Sequence, residues 1–308
     1  MISLSTDRAD ALNTDAAPLR PPVSFENSQR RDNGLPEKPL IVIESGSSWV
    51  SLQLFDIWAH RELLYFLVWR DLKVRYKQTV FGIAWVVLQP LLMTLIFTIV
   101  LGKLVRVSSN NIPYPLFAYA GLMLWIFFSG AISVTGNCLV GNANLITKVY
   151  FPRLIIPLAT MIARLVDLGV VFIILCGLMI YYRVPLTSHL IALPVFVLLI
   201  SLFALGFGLW TSAVNVRYRD VGLALPVLIQ LWMFVSPVVY GLDQVPQKLV
   251  LAYSLNPLVG MIEGFRAALF GTGFYWPAII ISTAVTVFLL IYGSYVFQRR
   301  EKTFADII

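Results

Sequence analysis

Charged residues are scarce in this sequence. They make up 13% of the 308 residues, whereas hydrophobic residues make up 58% and the mean hydropathy is +0.80. Soluble domains carry about 25% charged and about 45–50% apolar residues. This balance excludes an ordinary soluble globule, and it also excludes a disordered chain. Most of the chain is therefore expected to lie in a lipid bilayer.

Reactive and metal-binding residues are also few. Two cysteines, Cys138 and Cys176, cannot form a disulfide framework, and the apolar run around Cys176 predicts a small core residue. The two histidines, His60 and His189, have no metal-ligand pattern nearby. The sequence has no Gly-x-x-x-x-Gly-Lys-Ser/Thr phosphate-binding loop, no Gly-x-Ser-x-Gly elbow and no His-Glu-x-x-His motif. We therefore predict that the chain is not an enzyme and has no catalytic site, no metal site and no cofactor.

Long apolar runs dominate what is present. A helix needs about 20 apolar residues to cross a bilayer, and six stretches qualify. They are residues 81–101, 115–135, 154–181, 190–214, 221–240 and 277–297. Alternating strands of about ten residues, which would indicate an outer-membrane barrel, do not occur. The sequence thus predicts an all-α integral membrane protein with six transmembrane helices.

Basic residues predict the orientation of these spans. With six spans both termini lie on one side, and that side carries 17 Lys and Arg against 5 on the other. Positive loops stay in the cytoplasm, so both termini are expected there, and the net charge of +7 needs no nucleic acid to explain it. Three regions follow: a disordered cytoplasmic tail over residues 1–45 that is not a signal peptide, an interfacial amphipathic segment over 46–80, and a transmembrane domain over 81–308.

Two connections do not look like ordinary loops. Residues 62–77 can form a helix with apolar residues on one face and Arg and Lys heads beside it, which is typical of a helix lying in the membrane interface. Residues 241–276 form a long external connection that is rich in apolar residues. We expect this second connection to dip back into the membrane as a re-entrant helical hairpin or to pack over a cavity.

Three polar segments leave two readings open. The loop 141–157 can form a short helix that has an apolar face and that Asn144 can cap. Such a helix suits either docking to another protein or anchoring of the third span in the membrane interface. The loop 215–220 suits either local Arg–Asp pairs or a plain stop-transfer cluster. Arg164 and Asp167 lie three residues apart in the third span, where they suit either an intrahelical pair or a role facing a wet cavity.

Six sequence blocks, in order, resemble a known family. They are WRDLKVRYKQTVFGIAWVVLQP (69–90), YPLFAYAGLMLW (114–125), NANLITKVYFPRLIIP (142–157), NVRYRDVG (215–222), SPVVY (236–240) and LNPLVGMIEGFRAALFG (255–271). The chain resembles the permease subunit of type-2 ABC exporters for O-antigen, capsular polysaccharide and teichoic acid. The resemblance covers about residues 55–300. It implies a homodimer in the bacterial inner membrane with two copies of a separate ATPase subunit, which would hold ATP and magnesium. The cargo would be a glycan on a polyprenyl pyrophosphate.

The resemblance also implies roles by position. Residues of the loop that couples to the ATPase are Asn144, Lys148, Tyr150, Phe151, Pro152 and Arg153. Residues of the interfacial gate helix, where the pyrophosphate would arrive, are Arg70, Asp71, Arg75, Tyr76 and Lys77. Residues of the second cytoplasmic loop are Arg217, Arg219 and Asp220. Residues of the external hairpin are Asn256, Pro257, Glu263 and Arg266. The arginine guanidinium binds two phosphate oxygens at once, which suits capture of the pyrophosphate by the gate helix. A basic interfacial helix also gains about 1 kcal/mol per Lys or Arg from anionic lipid, so anchoring of the helix to the membrane is the competing explanation.

Two other functions stay open on the sequence. A type-2 exporter of a lipid or a drug would share much of the same pattern. A membrane enzyme such as a lipid-linked sugar transferase would need interfacial carboxylates, of which Asp71 and Asp220 are the candidates. Each of these two lies beside an arginine and is expected to be paired, which argues against the transferase.

Overall fold

The computed structural model of the chain describes residues 54–77, 82–105, 107, 112–301 and 304. The predicted disordered tail lies outside these residues, as does part of the predicted interfacial segment. Helices and short connections account for the described part of the chain, which contains no β-strand. The prediction of an all-helical protein is therefore confirmed for these residues.

Eleven α-helices follow one another along the described residues. They are α1 (Leu54–Ala59), α2 (Arg61–Lys77), α3 (Ala84–Phe97), α4 (Tyr114–Gly141), α5 (Ala143–Lys148), α6 (Ile155–Tyr181), α7 (Leu193–Asn215), α8 (Asp220–Phe234), α9 (Gln247–Tyr253), α10 (Pro257–Phe270) and α11 (Trp276–Glu301). A π-helical segment, Thr98–Val105, continues α3. Short 3₁₀ helices, Ser188–Ala192 and Leu242–Gln244, precede α7 and α9.

Five helical segments of the described residues are long and apolar enough to cross a membrane. They are Ala84–Val105, Tyr114–Gly141, Ile155–Tyr181, Ser188–Asn215 and Trp276–Glu301. The first, second, fourth and sixth predicted spans thus appear as helical segments that are longer than predicted. The third begins at Ile155, one residue after its predicted start. Hydropathy and length therefore locate most of the membrane-embedded chain.

The predicted fifth span, 221–240, is shorter in the structure. Helix α8 has 15 residues and ends at Phe234, so it extends about 22 Å, less than the roughly 30 Å of a hydrocarbon core. The chain then turns, because Pro237 has no backbone N–H to continue the helix. Side chains from α10 and from the residue that caps it bind the carbonyl groups of this turn, including that of Pro237 itself.

Helix α4 lies at the centre of the helix packing. It contacts α3, α6, α7, α8 and α10, and it buries residues along most of its length, from Leu116 to Leu139. Aromatic rings fill the space between α4, α7 and α8: Phe128 stacks on Phe203 with a centroid distance of 5.4 Å, and the Trp232 ring meets both edge-on. These rings form a core within the subunit.

Helices α7 and α11 approach each other at two glycines. A Cβ atom added to Gly293 would collide with the backbone carbonyl of Gly206, and one added to Gly206 would collide with the backbone at Leu290. Small residues allow such close contact between helices in a membrane, where packing rather than water exclusion drives association. The pair therefore fixes α11 against the central helices.

A second apolar cluster lies where α2 packs against the long helices. Leu67 of α2 is buried there with Phe151 and Leu154 from the loop before α6, with Ile155 at the start of α6 and with Phe297 from α11. The cluster brings α2, the loop before α6 and the end of α11 together. The first two of these segments, taken with the adjacent α5, carry 11 of the 20 residues that the sequence marks as functional, and the end of α11 carries none of them.

Candidate functional site

The end of α2 is joined to the middle of α6 by a shared carboxylate. Arg75 forms an ion pair with Asp167, and the Tyr76 hydroxyl donates a hydrogen bond to the other oxygen of the same side chain. Burial is the main cause that raises the pKa of Tyr76 to about 12, and the hydrogen bond to Asp167 is the second. The hydroxyl therefore keeps its proton near neutral pH and remains a donor to the carboxylate.

Arg164 stands beside this cluster. Its Nη1 lies 3.5 Å from Asp167, and its buried Nε has no hydrogen-bond partner among the described residues. Arg164 and Asp167 line a small cavity of about 60 Å³ between α3, α4 and α6, together with Gln89 and apolar side chains. Arg164 and Asp167 thus pair with each other and also line a cavity, and a role for the pair in that cavity stays a prediction.

The middle of α2 is tied to the loop after α4. Arg70 donates to the Asp71 carboxylate at 2.8 Å and to the side-chain carbonyl of Asn142 at 2.9 Å. The Asn142 amide in turn donates to the Cys138 carbonyl at the end of α4. Arg70 therefore links α2 to the residue that immediately precedes α5. Lys77 is exposed at the end of α2, with its charge open to the surroundings.

The surface of α2 is less simply amphipathic than its sequence indicates. Leu67 is buried and Leu63 is partly buried, whereas the apolar side chains of Phe66, Trp69 and Val74 are exposed. The helix thus has one apolar strip against the protein and another that faces outward. The outward strip suits contact with lipid.

The predicted coupling loop has an exposed ridge and a buried side. Tyr150 is 89% exposed, and Asn144 and Lys148 are exposed near it. Phe151, in contrast, is 5% exposed and belongs to the apolar cluster beneath α2. Phe151 therefore holds the loop to its own subunit and does not face outward. Tyr150 is the aromatic side chain available to a partner.

Asn142 rather than Asn144 precedes the short helix of this loop. Helix α5 begins at Ala143, so Asn144 lies in its first turn, and the prediction that Asn144 caps the helix is wrong. The Asn142 side chain makes no cap hydrogen bond, because it is engaged by Arg70 and by the end of α4. The loop is thus held from outside rather than by a local cap.

The end of α11 holds the far side of the same loop. The Arg153 backbone N–H donates to the Glu301 carboxylate at 3.0 Å, and the Arg153 guanidinium donates to the Glu301 backbone carbonyl. The guanidinium also lies 5.9 Å from the ring centroid of Phe304, which is itself buried against Phe297. The preceding Pro152 carbonyl accepts from the first turn of α6. Arg153 therefore connects the start of α6 to the end of α11.

The loop over residues 215–220 makes no ion pair within the described residues. Arg217 lies over the ring of Tyr218 at 5.4 Å, Arg219 is exposed, and Asp220 begins α8. The expected local Arg–Asp pairing is thus absent from this part of the chain. Acidic residues in the first turn of a helix interact favourably with its dipole, which accounts for Asp220 there.

Asn215, just before this loop, is a connector that the sequence did not reveal. Its amide donates to the Gly136 carbonyl and to the Asn137 side chain, each at 3.0 Å, and its oxygen accepts from the Gly222 N–H at 3.0 Å. One 3% exposed side chain therefore joins α4, α7 and α8. The sequence signals at this position were an asparagine at the end of an apolar run and its place at the start of the block NVRYRDVG.

Two polar side chains organise the long connection over residues 241–276. Asn256 caps α10 by accepting from Leu258 N–H, accepts from the Trp232 indole at 3.1 Å and donates to the Val235 carbonyl at 3.0 Å. Pro257 follows at the first helical position, where a proline costs no hydrogen bond. Asn256 thus fixes the end of α8 against the start of α10.

Arg266 is the second organiser. It is 3% exposed, lies over the Phe117 ring at 3.7 Å and donates to the Glu263 carboxylate at 3.0 Å. Its Nη1 and Nη2 groups also bind the backbone carbonyls of residues 117, 237, 238 and 240, whereas its buried Nε has no hydrogen-bond partner among the described residues. Burial raises the pKa of Glu263, and the Arg266 guanidinium opposes that shift. The buried Arg266–Glu263 pair therefore stabilises the packing of α10 against α4 and against the turn after α8.

Two thiols differ from each other in the structure. Cys138 is buried, whereas Cys176 is exposed on α6. The prediction that Cys176 is a core residue is wrong, because an apolar run in a membrane helix has a lipid-facing side as well as a packed side.

Comparisons with known proteins extend over most of the chain. The family described as ABC-2 type transporter matches residues 62–270, which run from the first turn of α2 to the end of α10. The O-antigen export system permease protein RfbA of Myxococcus xanthus is 31% identical over 82% of this chain and 98% of its own length. The protein of the same name from Klebsiella pneumoniae is 32% identical over 80% and 95%. The polysialic acid transport protein KpsM of Escherichia coli is 24% identical over 76% and 91%.

Proposed function

We propose that this chain, which belongs to the ABC-2 type transporter family, is the membrane subunit of an exporter that moves polysaccharide on a polyprenyl pyrophosphate carrier. The observation that carries the proposal is the family match from α2 to α10, together with relatives named for O-antigen and capsule export that align over most of their lengths. The chain is a multi-pass inner-membrane transport component, and this reading prevails over a drug exporter or a sugar transferase.

The proposed assembly contains two copies of this chain and two copies of an ATPase subunit. The sequence has no phosphate-binding loop, so ATP and magnesium are assigned to the ATPase. The exposed ridge of Asn144, Lys148 and Tyr150 is the proposed contact with that partner, because it presents an aromatic ring and a cation on a short helix and its following turn. The buried Phe151 would transmit force from the ridge into the subunit.

The proposed arrangement in the membrane has six spans and both termini in the cytoplasm. Helix α8 would be the fifth span, completed by the turn that Asn256 and Arg266 hold. Helix α2 would lie in the cytoplasmic interface, and α9 and α10 would form the external re-entrant hairpin. The support is the 17 to 5 distribution of basic residues and the apolar composition of α10, whose side chains are nearly all buried.

Helix α2 is the proposed gate. Lys77 is open to an arriving pyrophosphate, whereas Arg75 is occupied by Asp167. A dense anion at the end of α2 would compete with Asp167 for Arg75, since guanidinium groups bind phosphate and carboxylate by the same geometry. Exchange of one anion for the other would free α2 from α6, and the link from Arg70 to Asn142 would connect that release to the ATPase-docking loop.

The test is depletion of the chain in its own host, followed by extraction of lipid-linked glycan from the inner membrane and of polymer from the cell surface. We expect surface polymer to fall and long pyrophosphate-linked polymer to accumulate inside. Restoration by the wild-type chain, but not by a variant in which Asn144, Lys148 and Tyr150 are all replaced by alanine, would link the effect to the docking ridge. Unchanged surface polymer without internal accumulation would refute the polysaccharide cargo and direct attention to lipids or drugs.

A further inference from the structure

An apolar groove of about 480 Å³ lies at the C-terminal end of α6. It is bounded by α6, the turn after it, the start of α7 with its preceding 3₁₀ helix, and the end of α10. Phe172, Ile180, Leu190 and Leu269 are among its walls, and the exposed Cys176 also lines it. The volume lies in the range of small-ligand sites.

The surface around the groove is the kind that faces lipid. Ile173, Ile180, Leu186 and Ile191 are between 69% and 82% exposed. Such a concentration of large apolar side chains on a membrane helix end is stable only against hydrocarbon or another protein. The molecules that reach the groove first are therefore the lipids of the bilayer.

Arg183 is the one charged residue among the groove's lining side chains. Its guanidinium has no hydrogen-bond or ion-pair partner within the described part of the chain, and no carboxylate lines the groove. An unbalanced guanidinium at the edge of an apolar groove favours an anion that carries an apolar tail.

The backbone at Arg183 gives an independent reason to assign it a role. Val184 N–H donates to the Met179 carbonyl and Arg183 N–H to the Ile180 carbonyl, which together form the Schellman motif that ends α6. Arg183 occupies the left-handed position of this motif with a φ of +52°, where glycine is the usual residue. Glycine would end the helix equally well, so the fold alone does not require an arginine here.

We infer that this groove binds one acyl chain of an anionic phospholipid, with the lipid phosphate on Arg183. A zwitterionic lipid carries its own ammonium group beside the phosphate, so it gains less from the guanidinium. The apolar walls of the groove bind the acyl chain, and Arg183 provides the preference for a negatively charged head group.

The test counts lipids retained by the purified full chain in native mass spectrometry. Dioleoylphosphatidylglycerol and dioleoylphosphatidylcholine are titrated separately against the wild-type chain, Arg183→Gly, Cys176→Trp and Lys248→Gln. Glycine is the favoured residue at position 183, so Arg183→Gly should fold at least as well as the wild type. Lys248 is an exposed cation on α9 that does not line the groove, and it serves as the matched control.

We expect the wild type to prefer phosphatidylglycerol and Arg183→Gly to bind it on the order of tenfold more weakly, since a hydrogen bond between charged groups is lost. Cys176→Trp should fill the groove and reduce retention of both lipids, and Lys248→Gln should match the wild type. Equal retention of the two lipids by the wild type, undiminished binding in Arg183→Gly or Cys176→Trp, or an equal loss in Lys248→Gln would each overturn the assignment.

Discussion

Arg75 at the end of α2 forms an ion pair with Asp167 in the middle of α6, across 92 residues of sequence. Asp167 also lies 3.5 Å from Arg164, so a single carboxylate stands between two guanidinium groups. Carboxylates inside membrane helices are costly unless they are paired. The position of α2 is therefore coupled to the electrostatic balance of a membrane span.

The first prediction concerns Asp167→Asn. This change leaves the half-buried Arg75 and Arg164 without a counter-charge, which should weaken the docking of α2 by about 3 kcal/mol. Amide hydrogens of residues 70–77 should then exchange roughly 100-fold faster, because each 1.4 kcal/mol corresponds to a factor of ten. Hydrogen exchange with mass spectrometry on the purified chain measures this directly.

Asp71→Asn is the control for that experiment. Asp71 pairs with its sequence neighbour Arg70, whose side chain is 34% exposed, so its loss should cost less than about 1 kcal/mol. Equal exchange rates in the two variants would show that Asp167 does not hold α2.

The second prediction separates Tyr150 from Phe151. Tyr150→Ala removes an exposed ring and should leave the thermal stability of the chain unchanged while uncoupling ATP hydrolysis from export. Phe151→Ala empties a buried site and should cost about 3–5 kcal/mol of stability. Melting temperatures of the purified chains and ATPase rates of the reconstituted complex provide the two measurements. A large loss of stability in Tyr150→Ala, or none in Phe151→Ala, would contradict the placement of these rings.

The third prediction concerns the buried guanidinium of Arg266. Arg266→Leu leaves the Glu263 carboxylate and several backbone carbonyls without donors, so we expect a loss of about 3–5 kcal/mol in thermal unfolding. Gly121→Ala should have a similar effect, since its Cβ would collide with Arg266 Nη2 and with the Val238 carbonyl. Lys248→Ala, on the exposed face of α9, should melt like the wild type. Wild-type stability in both core variants would exclude a structural role for Arg266.

The fourth prediction concerns Asn215→Leu. The change removes two donated hydrogen bonds and one accepted one, so α8 should open more readily by about 2 kcal/mol. The Gly222 amide, which loses one of its two acceptors and keeps only the Arg219 carbonyl, should show the largest increase in hydrogen exchange. Thr147→Ala is a fair comparison, because its exposed hydroxyl bonds only to its own helix. Similar exchange at Gly222 in both variants would argue against the connector.

Hydropathy predicted the long helices because a membrane span is a local property of about 20 residues. It overextended the fifth span because the chain turns after Phe234, where Pro237 interrupts the helix and Asn256 and Arg266 bind the carbonyl groups of the turn. Those contacts join residues that are 21 and 29 positions apart, and no local pattern encodes them. An apolar stretch that turns and one that continues as a helix look alike in composition.

The candidate site was accessible from sequence only in part. Arg164 and Asp167 are three residues apart, so their proximity follows from helix geometry. The addition of Arg75 depends on how α2 packs against α6, which a single sequence does not show. The same holds for Tyr150 and Phe151: two adjacent aromatic residues in a loop point in directions that only the neighbouring helices determine.

Helix α2 is attached to the rest of the subunit by polar side chains near its C-terminal end, so it could pivot there. Arg70 attaches it to Asn142, and Arg75 and Tyr76 attach it to Asp167. Arg70 and Arg75 are five residues or about 7.5 Å apart along the axis, and the helix runs a further nine residues or about 13.5 Å from Arg70 back to Arg61. If the attachment to Asp167 opens while Arg70 stays on Asn142, Arg70 becomes the fulcrum. A displacement of about 1 Å at the short arm then becomes about 2 Å at the far end. The exchange of a single ion pair would thus be amplified into a larger displacement of the N-terminal part of α2, which carries the exposed Phe66 and Trp69.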